Sequence, residues 1–578
     1  MCHHRRRHRR SDSITKIFLW ASAAILIACV SPIRDEGDAG TPPYTLYKGG
    51  DILTMEGDTA KYAEVLVRQG NRIVYVGHHA GVEQSIIESA TVVDLNGRAL
   101  LPGFIDSHIH FSQAAQIELL HRIQPWDFEN ADAFIAYVKE LASETPIGEP
   151  IFIFGYDRAL IEPHVNLTRG DLDKATTSHP VYVLYLGMHW GSANSLALER
   201  AGITKKTPTH TPGGGIYFKD EDGEPTGLAT ETAIFFIAHA IEESIGADEQ
   251  RLSMYRIAER LSANGITLAT DLATGASTGP GDVSLLRSLA HDENFAVRLS
   301  ATPLYQILPD LEQPIPWDGF FQANRIKLLI DASLVGGTSA TQSPQLDGST
   351  GNLNYTRAAY RQALHEAIDK GFSTTTHTMG DRGHQLMLDV FDELDLSGIP
   401  IKGSNHSIEH SALVTEEDAS RMARLGLSSS LLMPLLYVYG DAMRDTVYGP
   451  EMASQLFPAA RLKKSGVNVA LHSDAPIFPT QPLLYAWVAV NRLTTSDAVL
   501  GADQAISPFA ALQGITINAA RHLGLEQEVG SLAAGKLADL VILEENPLKV
   551  DPKAMKDIAV IETIKGGLTT FLLKDQIQ

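Results

Sequence analysis

The sequence predicts an α/β protein: a (β/α)8 TIM-like barrel with an inserted subdomain, plus a small discontinuous β-sandwich built from both chain ends. Three observations lead to this prediction. Eight short apolar runs alternate with helical patterns between residues 104 and 500, which is typical of βα units around a parallel sheet. Short segments that alternate apolar and polar residues occur in residues 43–103, and segments of the same kind follow near the C-terminus. Histidines and acidic residues follow several of the apolar runs, where a barrel has its active site.

The N-terminus predicts export. An arginine-rich run at 5–10 precedes an apolar stretch at 17–30, which is too short to span a bilayer comfortably and is typical of a secretory signal. Leu-Ile-Ala-Cys at 26–29 resembles a bacterial lipobox, in which the cysteine becomes the lipidated first residue. We therefore expect lipidation of Cys29 and a cell-envelope protein that faces the periplasm. The alternative is an uncleaved anchor with an incidental cysteine.

The chain divides into five predicted parts. They are a lipoprotein-type signal peptide at 1–28, a polar tether at 29–42, the first part of the sandwich at 43–103, the barrel at 104–500, and the barrel end with the second part of the sandwich at 501–578. The stretch at about 124–243 does not follow the βα period, so we expect it to be an insertion or lid. Apolar segments at 150–155 and 180–186 are candidate strands within it.

We expect the short segments at the two chain ends to pair with one another. Segments such as 63–68 and 72–77 alternate apolar and polar residues, which indicates a small antiparallel sheet. A sheet of this size does not easily close a core alone. Similar short segments follow at 537–543, 560–563 and 568–573, and a sandwich of the two halves is the simplest arrangement.

Eight segments are the candidate strands of the barrel. They lie at 105–110, 266–271, 296–301, 326–330, 373–377, 406–410, 427–432 and 467–473. Eight is the strand number of a TIM-like barrel, and active sites of that fold lie at the carboxyl ends of the strands.

Charge and cysteine content exclude some functions. A net charge of −22 argues against nucleic acid as a partner, because phosphates require a basic surface. The two cysteines, Cys2 and Cys29, both lie in the leader, so no disulfide framework exists in the body of the protein. Any metal there must be bound by nitrogen and oxygen ligands. We expect a small-molecule substrate and contact with a membrane only through the lipid anchor. A homodimer is possible and stays open.

His108 and His110 are the first candidate ligands. They close the segment Leu-Pro-Gly-Phe-Ile-Asp-Ser-His-Ile-His-Phe at 101–111. Residues i and i+2 of a strand project from one face, so both imidazoles would point the same way, and imidazole is a common zinc ligand. The same spacing also arises by chance on polar strands.

Four further polar residues lie within or after later strands. They are Lys327, His377, His410 and Asp474. In a barrel all of them would face one mouth together with His108 and His110. The alternatives are an ordinary buried lysine, core histidines and an aspartate that caps a helix before Ala475-Pro476.

Several motifs give the chain a resemblance to a known family. Besides the segment at 101–111, they are Thr-Arg-Gly-Asp-Leu-Asp at 168–173, His-Pro-Val at 179–181, Gly-Met-His at 187–189, Ala-Asn-Ser at 193–195, Gly-Glu-Pro-Thr-Gly at 223–227, Gly-Asp-Arg at 380–382, Ser-Asp-Ala-Pro at 473–476, Ala-Val-Asn-Arg at 489–492, Gly-Ser-Leu at 530–532 and Gly-Lys-Leu-Ala-Asp at 535–539. The chain resembles the amidohydrolase superfamily, and within it the amidohydrolase-3 group of YtcJ-like and N-substituted formamide deformylase-like proteins.

The resemblance implies a metal centre. His108 and His110 would bind one divalent ion, His377 and His410 a second, and Lys327 would bridge them as a carboxylated lysine. We expect one or two ions, with Zn²⁺ the first choice. A free ammonium cannot bind a cation, so Lys327 would serve only as its N6-carbamate.

Asp474 would contact a metal and the attacking water as the catalytic base. By family position, His189, Glu231, Asp381 and Arg382 are candidate substrate contacts. The chain departs from the family where Asp331-Ala332 stands for Asp-Gly and where Thr378-Met379 follows His377. The first departure could shift the loop after that strand, and both bear on substrate choice more than on chemistry.

The resemblance implies hydrolysis of a non-peptide carbon–nitrogen bond, in an amide or N-formyl amide, by metal-activated water. Two alternatives remain. The same site could hydrolyse a lactone, another ester or a carbamate, or the chain could be a non-catalytic binding lipoprotein of the envelope.

Overall fold

The computed structural model describes residues 43–573 except 212–214, 242–246 and 277. The predicted signal peptide, the tether and Cys29 lie outside these residues. Within the described ranges, no helix has both the length and the apolar composition needed to cross a membrane.

The N-terminal strands form a mixed sheet, whereas the sequence predicted an antiparallel one. Its elements are β1 (Tyr44–Leu53), β2 (Tyr62–Gln69), β3 (Arg72–Gly77), α1 (Gln84–Ser89), β4 (Thr91–Asp94) and β5 (Ala99–Pro102). β2 pairs with β1 antiparallel, but β4 and β5 pair with β1 in parallel. The difference arises because α1 carries the chain back to the start of β1, so that β4 and β5 run in the same direction as β1.

The next strand delivers the first two candidate ligands. This strand is β6 (Phe104–Asp106), and α2 (Phe111–Ile117) follows it. His108 and His110 lie after β6 rather than on it. This segment continues as isolated bridges from Ile109 to Ala475 and from His110 to Asp271.

A six-stranded sheet, here called the insertion sheet, follows. Its strands are β7 (His121–Arg122), β8 (Ile151–Tyr156), β9 (Val181–Tyr185), β10 (Trp190–Ala193), β11 (Ile216–Lys219) and β12 (Pro225–Thr230). The helices of this region are α3 (Ala131–Glu144), α4 (Arg169–Ala175), α5 (Ser195–Arg200) and α6 (Thr232–Ile241). Phe134, Val138, Ile153, Tyr156 and Val183 belong to a separate cluster of buried residues, so the insertion sheet has a core of its own.

The structure has a strand at each of the eight positions predicted for the barrel. After β6 these are β13 (Ile266–Thr274), β14 (Arg298–Pro303), β16 (Arg325–Leu329), β17 (Ser373–Thr378), β18 (Ser407–His410), β19 (Ser428–Leu431) and β20 (Val469–Leu471), with the short β15 (Phe321–Gln322) beside β14. Every pairing among them is parallel. They form two sheets, β15-β14-β13-β6 and β16-β17-β18-β19-β20, and parallel bridges join Leu304 to Lys327 and Ile109 to Ala475.

Helices alternate with these strands. They are α7 (Ala247–Ala263), α8 (Gly281–Ala290), α9 (Arg357–Asp369), α10 (Asp381–Leu396), α11 (Glu416–Leu425), α12 (Met433–Ala442), α13 (Gly449–Ser454), α14 (Ala459–Lys464), α15 (Pro482–Asn491), α16 (Pro508–Gly514) and α17 (Ile517–Leu523). In α9, Thr356 caps the N-terminus and Tyr360, Ala363, Leu364 and Ala367 are buried. This spacing places one apolar face against the strands.

Both chain ends meet in one eight-stranded sheet, here called the terminal sheet. The C-terminal strands are β21 (Leu540–Leu543), β22 (Val560–Lys565) and β23 (Leu568–Leu572). β21 pairs antiparallel with β5, and the order is β23-β22-β21-β5-β1-β2-β3 with β4 beside β1. The union of the two ends agrees with the sequence-based expectation. That this sheet closes as a two-layer sandwich stays a prediction.

Candidate metal centre

The candidate ligands lie at the carboxyl ends of the parallel strands. His377 is near the end of β17, His410 ends β18, and Asp474 follows β20. His108, Lys327, His377, His410 and Asp474 are all buried, and only His110 is partly exposed. Residues that are far apart in sequence therefore reach one buried place.

Asp474 is at the middle of this cluster. Its Oδ1 lies 3.1 Å from Nε2 of His108 and 3.1 Å from Nε2 of His110. Its Oδ2 lies 3.9 Å from Nδ1 of His410. Burial favours the neutral acid, but His108 and His410 outweigh it and hold the pKa of Asp474 well below its usual range.

The imidazole rings pack against one another. The centroids of His108 and His410 lie 4.6 Å apart, and those of His377 and His410 lie 4.5 Å apart. Nε2 of His377 is 3.4 Å from the carbonyl oxygen of Ala332. The four predicted histidines thus form one continuous cluster.

Lys327 faces the same cluster. Its side chain is buried in β16, and its Nζ has no hydrogen-bond partner among the described residues. Burial lowers the pKa of Lys327 to about 8, against the opposing influence of Glu409 and Asp474. An amine that loses its proton this readily is a candidate for carbamate formation.

Two of these residues have unusual backbone conformations. The φ angle is 72° at His410 and 59° at Asp474. Non-glycine residues seldom adopt this left-handed region, and such positions cluster at functional sites. The left-handed conformation at these strand ends directs both side chains towards the cluster.

His472 is a site residue that the sequence reasoning missed. Its ring stacks on His108 with centroids 4.5 Å apart, and both ring nitrogens are buried without a hydrogen-bond partner in the described part of the chain. Donor atoms of His108, His410 and His472 lie within 4.8 Å of one another, as do those of His108, His110 and Asp474. A signal was available, because His472 and Asp474 have the same i, i+2 spacing as His108 and His110.

Asp331 connects two loops beside the cluster. Its buried carboxylate accepts hydrogen bonds from the backbone N–H groups of Met379, Gly380 and Ala340. Burial raises the pKa of Asp331 to about 7. The residue therefore ties the loop after β16 to the end of β17, next to His377.

His189 and Glu231 form a pair beside the centre. Nδ1 of His189 lies 3.0 Å from Oε2 of Glu231. His189 also lines a pocket between the insertion sheet and the loop after β16, together with Arg158, Trp190 and Ser333. Burial lowers the pKa of His189, but Glu231, Asp474 and Asp331 raise it more. His189 thus both lines this pocket and is within electrostatic reach of Asp474.

Asp381 and Arg382 have other partners. Oδ1 of Asp381 accepts the N–H of Gln342, and Arg382 donates to the carbonyl oxygens of Thr350 and Gly351. Both side chains hold the loop between β16 and α9. A contact of either residue with substrate stays a prediction.

The donor set fits a divalent cation. Nε2 of His108, Nδ1 of His410, Oδ1 of Asp474 and Nζ of Lys327 are all buried without a hydrogen-bond partner in the described ranges. Buried polar atoms of a native protein are rarely left unsatisfied, and a bound ion is one explanation. Imidazole nitrogens with carboxylate oxygens suit zinc and related ions.

Known proteins resemble this chain over most of its length. The sequence is 26% identical to the N-substituted formamide deformylase of Arthrobacter pascens over 88% of this chain and 95% of the relative. It is 25% identical to the putative amidohydrolase YtcJ of Bacillus subtilis (strain 168) over 91% of this chain and 99% of the relative.

A solved structure shares the fold. It is an uncharacterized metal-dependent hydrolase from Pyrococcus horikoshii OT3, with a TM-score of 0.70, 23% identity, and coverage of 88% of this chain and 99% of that one. The model of the amidohydrolase family, Amidohydro_3, matches residues 91–571. The resemblance noted in the sequence is thus confirmed, and the chain belongs to the amidohydrolase family.

Proposed function

We propose that this protein is a metal-dependent hydrolase that cleaves a carbon–nitrogen bond other than a peptide bond, in an amide or an N-formyl amide. The observation that carries the proposal is the convergence of histidines on the buried Asp474, with Oδ1 3.1 Å from Nε2 of both His108 and His110. The similarity to a relative named N-substituted formamide deformylase favours this bond type.

The proposed centre comprises His108, His110, Lys327, His377, His410 and Asp474. It would bind one or two divalent ions, with Zn²⁺ the first choice. The lowered pKa of Lys327, about 8, favours the neutral amine that reacts with carbon dioxide, so we propose that this lysine is N6-carboxylated. We also propose that the two bridged parallel sheets close into the barrel that presents these residues.

A divalent ion in this centre would lower the pKa of a water molecule and polarise the substrate carbonyl. Asp474 would accept a proton from the attacking water and donate it to the leaving amine as the C–N bond breaks and the C–O bond forms. Nε2 of His108 and His110 flank Oδ1 of this carboxylate, which fixes its orientation. His189 and Glu231 would contact the substrate from the insertion sheet.

The N-terminal sequence and the charge are the basis for a proposed cellular location and partner. We propose that Cys29 carries a lipid, that the protein is exported to the envelope and faces the periplasm, and that its partner is a small molecule. The net charge of −22 disfavours nucleic acid as a partner.

The test is a substrate screen with metal analysis. The purified protein is assayed against N-formyl amides, N-acyl amides, lactones, other esters and carbamates, with and without a chelator. We expect bound metal, and amide turnover that the chelator abolishes and zinc restores. Ester or carbamate hydrolysis far faster than amide hydrolysis would overturn the bond assignment, and bound metal without any turnover would indicate a binding protein.

A further inference from the structure

We propose that Glu409 is a positioning residue of the metal centre, whose carboxylate holds the Nδ1–H group of His108 so that the ring directs Nε2 to the ion. The inference rests on the proposed function for the existence of that centre. It concerns a residue that lies beneath the ligands and would itself touch neither substrate nor metal.

Glu409 lies on β18, directly before His410, and is fully buried. Its Oε2 lies 2.9 Å from Nδ1 of His108, and its Oε1 lies 2.9 Å from Nε2 of His522. The hydroxyl of Thr375 donates a hydrogen bond to Oε1. The carboxylate therefore receives a donor at each oxygen, and one of these donors is a metal-ligand candidate.

These contacts determine which nitrogen of His108 carries the proton. An ionised carboxylate only accepts hydrogen bonds, so Nδ1 of His108 must be the donor. With Nδ1 directed to Glu409, Nε2 is the ring nitrogen left to bind an ion, and it lies 3.1 Å from Oδ1 of Asp474, another candidate ligand atom. Carboxylate–histidine pairs of this kind orient ligands in other metal proteins.

The residues that donate to Oε1 of Glu409 have further hydrogen-bond partners. Nδ1 of His522, on α17, lies 3.0 Å from Oγ of Ser428. The hydroxyl of Ser407 donates to Thr375 at 2.8 Å. The carboxylate of Glu409 therefore cannot turn away from His108 without breaking the buried hydrogen bonds of Oε1 to His522 and Thr375.

Three donors surround the carboxylate of Glu409, namely the rings of His108 and His522 and the hydroxyl of Thr375. A fixed anion next to Nδ1–H increases the electron density on the ring, which strengthens Nε2 as a donor to a cation.

The test uses the Glu409→Gln variant of the full chain, with zinc and cobalt as probes. Glutamine keeps the size of the side chain, but its NH₂ group cannot accept from His108 or His522 as a carboxylate does. We expect zinc affinity, measured by competition with a chromophoric chelator, to fall by about 10- to 100-fold. The visible absorption spectrum of the Co²⁺ protein should also change, which a loss of stability alone would not produce.

Asp282→Asn is the matched control. Asp282 is a buried carboxylate on α8 that accepts from the backbone N–H groups of Gly275 and Thr278. We expect this variant to keep the wild-type zinc affinity and cobalt spectrum even if its thermal midpoint falls. Wild-type zinc affinity and an unchanged cobalt spectrum in Glu409→Gln would overturn the proposal.

A second measurement uses the wild-type protein and no variant. Nitrogen-15 NMR of the zinc-bound protein with labelled histidine reports which nitrogen of the His108 ring keeps its proton, with the ring assigned through its backbone resonances. We expect a proton on Nδ1 and zinc on Nε2, and zinc on Nδ1 would overturn the proposal. Zinc binding without amide turnover would reject the proposed function and leave the role of Glu409 standing, because neither readout uses turnover.

Discussion

The backbone N–H of Asp474 donates to the carbonyl oxygen of His108 at 3.0 Å, while Nε2 of His108 lies 3.1 Å from Oδ1 of Asp474. The two residues are thus joined through both backbone and side chain. The first and last ligand motifs of the chain lie side by side for this reason. A substitution at either residue should consequently disturb the whole centre.

Asp474→Asn should lower kcat by roughly 10²- to 10⁴-fold, because an amide cannot accept the proton from water. Steady-state assays on the best amide of the screen would measure this loss. Asp58→Asn, at an exposed aspartate far from the centre in sequence, is the control and should leave kcat unchanged. Turnover near the wild-type level in Asp474→Asn would reject the assignment of Asp474 as base.

Glu231→Gln should raise KM more than it lowers kcat. The Glu231 carboxylate pairs with Nδ1 of His189 at 3.0 Å, and the substitution removes the charge that orients this ring at the pocket. The pair Lys205–Glu224, 3.8 Å apart and exposed, offers a matched control in the same insertion. Glu224→Gln should leave both constants unchanged, and equal constants in Glu231→Gln and the wild type would contradict the substrate-contact role.

Arg298→Met should lower the free energy of unfolding by about 3–5 kcal/mol, because it leaves Asp539 buried without its charge partner. Nε of Arg298 lies 2.7 Å from Oδ2 of Asp539, and both side chains are almost fully buried. This pair joins β14 to the terminal sheet just before β21. Urea unfolding would measure the loss.

Two further variants check this interpretation of the ion pair. Arg298→Met/Asp539→Leu should recover part of the lost stability, because it removes the isolated charge. Arg357→Met, at an exposed pair with Glu393, should cost about 1 kcal/mol or less. A loss in the double variant as large as in Arg298→Met would show that packing, rather than charge, causes the effect.

The His406→Gln variant should weaken the loss of stability in acid. Nδ1 of His406 accepts a hydrogen bond from the backbone N–H of Thr374 at 3.0 Å, and burial, helped by the charge of Arg325, lowers the pKa of His406 to about 4. Since free histidine titrates near pH 6.5, the unfolded chain binds more protons between pH 6.5 and 4. The free energy of unfolding therefore falls as the pH decreases through this window.

Glutamine does not titrate, so the slope in that window should decrease by up to about 1.4 kcal/mol per pH unit. Urea unfolding at several values from pH 6.5 to 4 would give the slopes of both proteins. Equal slopes would show that His406 takes no part in acid unfolding.

The strands around the centre were largely predictable. Their apolar runs are local patterns, and each of the eight predicted segments contains a strand. The segment of His108 and His110 was less predictable. These residues lie after β6, where only isolated bridges to Asp271 and Ala475 continue the pairing. The expected antiparallel pairing is confirmed for β1, β2 and β3 but was wrong for β4 and β5. Strand direction there depends on where α1 returns the chain, and local alternation of side chains carries no information about that.

By itself the sequence determined which side chains could bind a metal and which segments are strands, since residue chemistry and alternation are properties of neighbouring residues. Only the tertiary structure decided that His472 stacks on His108, that Glu409 lies under the same ring, and that Arg382 holds the loop at Thr350. The reason is that the register between strands distant in sequence determines which side chains face one another, and buried polar atoms then take whichever partners that register brings within reach.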